Sequence, residues 1–73
     1  MKTKANLSSI SFIGYEPRSR ILEIQFHDGD TYQYFEVPMR IYILFVNAPS
    51  KEAFLNYYVK KNFHYAKVDE QAA

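Results

Sequence analysis

The stretch DGDTYQYFEVP, Asp28–Pro38, sets Tyr32 and Tyr34 two residues apart between an Asp-Gly turn signal and a proline. Side chains alternate faces along a strand, so both rings share one face, and the length of the preceding loop decides which face that is. A two-residue turn of Asp28 and Gly29 sets Leu22 opposite Phe35 and points both tyrosines away from the core. A three-residue loop of His27, Asp28 and Gly29, with Gly29 left-handed, sets Ile24 opposite Tyr32, Leu22 opposite Tyr34 and Arg20 opposite Glu36. The Asp-Gly pair argues for the shorter turn. The longer loop gathers Glu23, Gln25, Thr31 and Gln33 on the open face and opposes two unlike charges, and that consistency favours it. The tyrosine rings then join the core, with their hydroxyls at its rim.

Upstream, SSISFIGY (8–15) and RILEIQF (20–26) read as strands, the second alternating Leu22, Ile24 and Phe26 against Glu23 and Gln25. EPRS between them suits a type I turn, because Pro17 presets the backbone at its second position. Gly14 reads as a bulge or turn position. TYQYFEV (31–37) completes a meander. Downstream the period lengthens to that of a helix: Pro38 fits a first turn, and Ile41, Leu44, Phe45 and Ala48 fall on one face. Asn47, Ala48 and Pro49 end this helix. Ser50 is a candidate N-cap for a second, with Glu52 near its start, Lys60 and Lys61 near its end, and Leu55, Tyr58, Val59 and Phe63 turned inward. The expected architecture is α+β: a three-stranded antiparallel β-meander followed by two helices packed on one face.

With 73 residues the chain is a single domain, its ordered core expected over about 7–66 and both ends frayed. No cysteine is present, which excludes a disulfide framework and a thiolate zinc site and suits a reducing, cytoplasmic setting. The basic N-terminus is not followed by a signal-length apolar run, and no stretch approaches a membrane span, so a soluble, unprocessed protein is expected. A net charge of +1 gives no whole-molecule attraction to nucleic acid or membrane. Seven Tyr and six Phe without Trp suit a tight core, a self-association surface or a stacking platform.

Catalytic chemistry is sparse. His27 sits in a turn and His64 near the C-terminus, and neither is spaced to activate a serine. HDGD (27–30) has too few oxygen ligands for a calcium loop and reads as a solvated turn. Gly14 and Gly29 are the only glycines, so no phosphate-cradling loop exists. No catalytic residue, metal or cofactor is expected.

The ordered set IGYEP, LEIQFHDG, YQY, VP, IY, APSK and N, between positions 13 and 56, resembles the KTSC domain, a family named for its occurrence at the C-terminus of some lysyl-tRNA synthetases. It also occurs as stand-alone bacterial and phage proteins. The family pattern maps onto Ile13, Gly14, Tyr15 and Glu16; Leu22, Ile24 and Phe26; Tyr32 and Tyr34; Val37 and Pro38; then Tyr42, Ala48, Ser50 and Asn56. Two positions depart from it: Glu52 stands where glycine is usual, and Leu55 where an aromatic is common. The resemblance implies a small α+β binding module, with RNA as ligand suggested by the synthetase context.

These readings converge on a non-enzymatic module for RNA or a nucleotide-containing ligand, held at the Tyr32/Tyr34 rim with Arg18, Arg20, Arg40, Asn56 and Lys60 as candidate contacts. The alternative is a protein-interaction or homo-oligomerisation module, because the helix IYILFV is apolar on several faces. Such an oligomer could be a stand-alone bacterial or phage protein that sequesters a small nucleotide between subunits.

Overall fold

A computed structural model describes residues 9–68; the basic N-terminus, the expected strand start at Ser8 and the tail from Asp69 lie outside the described residues. Strands β1 (Ile10–Glu16), β2 (Ile21–Phe26) and β3 (Thr31–Tyr34) form an antiparallel meander. Helix α1 (Met39–Val46) follows, then a longer helix α2 (51–62) and a final strand β4 (Tyr65–Val68).

The β2–β3 loop is the three-residue one. Phe26 N–H donates to Asp30 O at 2.9 Å, Gly29 N–H donates back to Phe26 O at 2.9 Å, and Gly29 has φ 97°. That left-handed geometry is open to glycine without a Cβ clash. Leu22 therefore pairs with Tyr34 and Ile24 with Tyr32. The expected Arg20–Glu36 charge pair does not form. β3 stops at Tyr34, both residues adopt left-handed backbone (φ 59° and 56°), and Val37 N–H donates to Arg20 O at 2.9 Å instead. The sole ion pair among the described residues is Lys67–Asp30 at 3.4 Å.

The sheet has four strands, one more than the meander read from sequence. β4 returns after the helices to pair antiparallel with β3, matching Tyr34 to Tyr65 and Tyr32 to Lys67. Its sequence, YAKV, has too little apolar alternation to announce a strand, and its partner lies more than thirty residues upstream.

The helices cover the sheet face that carries Leu22, Ile24 and Tyr34, and these pack with Val37, Ile41, Phe45, Leu55 and Val59 into the buried core. Tyr15 fastens the layers: its ring stacks on Tyr42 at 4.7 Å, and its hydroxyl donates to Val37 O at 2.6 Å. The bulge expected at Gly14 is not there: Gly14 pairs with Glu23 in regular register and the irregularity lies at Ile10/Phe12, while an added Cβ at Gly14 would stand 3.1 Å from the Phe12 ring.

Two helical expectations are corrected. In α1 only Ile41 and Phe45 are buried, while Leu44 is 54% exposed, because an eight-residue helix rests on a narrow stripe and Leu44 falls on its flank. In α2, Ser50 does cap the start, its Oγ accepting from Ala53 N–H at 3.2 Å. After an α-helical Lys51–Phe54, however, Leu55–Val59 widens into a π turn before Lys60–Asn62 resumes the α geometry. A wider turn shifts facing away from the 3.6-residue period. Leu55 and Val59 stay buried, and Tyr58 is left 40% exposed.

Candidate functional site

Alternation along β3 sends Tyr32 and Tyr34 to the helix-covered face, and antiparallel pairing brings Tyr65 of β4 beside Tyr34. The rings form a continuous wall. Phe26 meets Tyr32 edge-on at 5.7 Å, Tyr32 meets Tyr65 at 5.9 Å, and Tyr65 meets Tyr34 at 5.2 Å. With Asp28, Asp30 and Lys60 they enclose a cavity of about 230 Å³.

Tyr34 forms the floor. Its side chain is 1% exposed, yet its hydroxyl makes no hydrogen bond to any described residue. No fully buried side-chain polar atom among those residues lacks a partner, so the oxygen must reach the cavity surface. Burial, and then the neighbouring Tyr65 and Tyr32 phenols, push its pKa up to about 12, so it is a neutral O–H donor over the physiological range.

Both signs of charge line the cavity. At the hairpin, Asp30 is held by Lys67, and Asp28 Oδ1 accepts from Asp30 N–H at 2.9 Å. Lys60 also lines the cavity, a cation with no ion pair among the described residues. Lys60 and Tyr65 also line a second, larger groove of about 500 Å³ with Lys61, Asn62, Phe63 and His64. The described residues contain no cluster of three or more His, Cys, Asp or Glu placed to hold a metal, and no helix among them is long and apolar enough to cross a membrane.

Of the residues singled out from sequence, the cavity brings together Tyr32, Tyr34 and Lys60. Arg18 and Arg20 occupy the β1–β2 turn, at the opposite end of β2 from the Asp28 loop, and Arg40 lies exposed on the first turn of α1. Asn56 is exposed on the π turn and does not line the cavity. Sequence reasoning missed Tyr65, because β4 was not recognised, and Phe26, Asp28 and Asp30 as lining residues. The spacing Tyr65-x-Lys67 beside Tyr32-x-Tyr34 is the one signal that could have found the first.

A family model for the KTSC domain matches residues 7–63. The chain belongs to the KTSC domain family. The crystal structure of a KTSC domain protein from Yersinia pestis superposes with a TM-score of 0.78 at 44% identity, covering 85% of this chain and 87% of that one. A protein from Tsukamurella paurometabola is 39% identical over 56 residues, 77% of this chain and 84% of its own length. A lysine–tRNA ligase from Nostoc is 34% identical over 61 residues, 84% of this chain but 11% of the ligase. This KTSC domain thus spans about a tenth of that relative.

The structure gives physical roles to several family positions. Leu22, Ile24, Tyr34 and Val37 are core, Tyr15 bonds the Val37 carbonyl, and Ser50 caps α2. The two departures are accommodated. Glu52 Oε2 accepts from Ser9 Oγ at 2.8 Å, and Leu55 is fully packed.

Proposed function

We propose that this KTSC domain is a non-enzymatic, cytoplasmic binding module that holds a nucleobase and its phosphate, presented by RNA or by a free nucleotide, in the Phe26/Tyr32/Tyr34/Tyr65 cavity. The observation that carries the reading is the Tyr34 hydroxyl, a donor on a buried side chain, unpartnered within the described residues and turned to a ring-walled space. A base stacked on an aromatic ring gains about 1–3 kcal/mol. The Tyr34 O–H suits a base acceptor, Asp28 suits an exocyclic amine, and Lys60 suits a phosphate. At about 230 Å³ the space is smaller than the ~300–1,000 Å³ of drug-sized sites, which fits one base. Relatives named lysine–tRNA ligase add an RNA context.

Calorimetric titration with the four nucleoside monophosphates and with a short single-stranded RNA tests the reading, beside native mass spectrometry of protein taken from cells. Binding should weaken about tenfold in Tyr65→Ala, whose side chain is half exposed and outside the buried core, with unchanged circular dichroism showing that the variant is folded. Absence of nucleotide and RNA binding at low salt, with nothing co-purifying, sinks it.

A second reading, self-association, is favoured by the outward face of α1, where Met39, Ile43 and Leu44 are each about half exposed.

A further inference from the structure

The lining of the base cavity carries two carboxylates, Asp28 and Asp30, and one ammonium group, Lys60. At the hairpin end, Asp28 and Asp30 face any approaching phosphate with carboxylates. A polyanion is repelled there even though Lys67 offsets one of the two charges. The cavity also shares Lys60 and Tyr65 with the groove formed where α2 turns into β4. That groove adds Lys61 and His64. Lysines at a helix end complement its dipole wherever they point. What distinguishes Lys60 and Lys61 is that both line a groove that shares two wall residues with a ring-walled cavity.

We propose that the ligand is a single-stranded oligonucleotide rather than a free nucleotide: one base enters the tyrosine cavity, and the adjoining phosphates leave through the Lys60/Tyr65 side to lie along the Lys61 groove. The proposal rests on the base-binding reading above and names the ligand class for that site. A single strand is required because a duplex keeps its bases stacked and cannot deliver one into a cavity without unpairing it. The aromatic pocket supplies sequence-tolerant stacking, and the basic groove supplies a salt-dependent contribution that a domain of net charge +1 can obtain only locally.

The test compares a nucleoside monophosphate, a single-stranded RNA tetramer and the same tetramer sequence within a blunt duplex, each titrated into the wild-type domain and Lys61→Ala at two salt concentrations. Lys61 is exposed, and unchanged circular dichroism would show that the variant is folded. The tetramer should bind at least tenfold more tightly than the monophosphate. Lys61→Ala should remove severalfold of that advantage, lower the tetramer's salt slope by about 0.7 and leave the monophosphate unaffected. Lys61→Arg should restore it. Equal affinity for monomer and tetramer, an equal effect of Lys61→Ala on both, or a duplex bound as tightly as the single strand overturns the groove proposal and leaves the base-binding reading standing. Failure of both monomer and tetramer to bind removes the two together.

Discussion

Tyr34 sets its ring and its hydroxyl in different surroundings. Its ring is core, paired with Leu22 across the strands and tilted at 35° to Tyr65 beside it, while its hydroxyl opens on the cavity. Burial penalises the phenolate, which is why the pKa is raised from 10.0 to about 12. The folded state therefore holds this proton more tightly than the unfolded chain does. Stability is unaffected below about pH 10 and is lost as the pH rises from 10 towards 12. Tyr34→Phe keeps the ring and removes the proton. Since the hydroxyl has no bond to a described residue, the variant should match wild-type stability within about 1 kcal/mol at pH 7 and show a shallower decline above pH 10 in denaturant titrations. Parallel declines for the two proteins would show that Tyr34 does not titrate with a raised pKa. Tyrosinate absorbance checks this independently, because the variant should lose an ionisation near pH 12.

Among the elements, the β2–β3 hairpin was legible in the sequence and α2 was only partly so, and the physics of each explains the difference. A hairpin's register follows from local loop length, and a one-residue slip would have thrown Leu22, Ile24 and Phe26 out of step with the tyrosines. The cap at Ser50 was equally local. The π turn at Leu55–Val59 was not, because one wide turn in a short helix leaves no repeating pattern to read. β4 was hidden for a related reason: its pairing is dictated by where two helices deliver the chain, and YAKV alone carries little of that information. Half the aromatic site was lost with it. The π turn nonetheless sets a sharp contrast along α2. Leu55 and Val59 are fully packed, whereas Tyr57 is 74% exposed. Leu55→Ala should cost about 2–5 kcal/mol, a large share of the ~5 kcal/mol or less that so small a core supplies, and Tyr57→Ala should stay within about 0.5 kcal/mol. Urea denaturation measures both. A mild Leu55→Ala would mean that the turn is not wound as described.

At the scale of the whole molecule, a net charge of +1 conceals an uneven distribution of aromatic, basic and apolar side chains. The aromatic cavity and its lysines occupy the side formed by β3, β4 and the end of α2, and no residue of α1 lines either the cavity or the adjoining groove. The outward face of α1 instead presents Met39, Ile43 and Leu44, with only Ile41 and Phe45 committed to the core. Two copies pairing α1 against α1 about a two-fold axis would bury the same apolar stripe from each side and leave both cavities open. Self-association and ligand binding are then independent, which distinguishes this arrangement from one in which a nucleotide is enclosed between subunits. Ile43→Glu separates the cases. Sedimentation velocity should show wild-type dimer and variant monomer, while the affinity for single-stranded RNA stays within twofold. A wild-type protein that sediments as a strict monomer at high concentration removes the α1 pairing altogether. A variant that loses dimer and ligand together would mean that the site is completed by the second subunit, and that the cavity beside Tyr34 is not sufficient by itself.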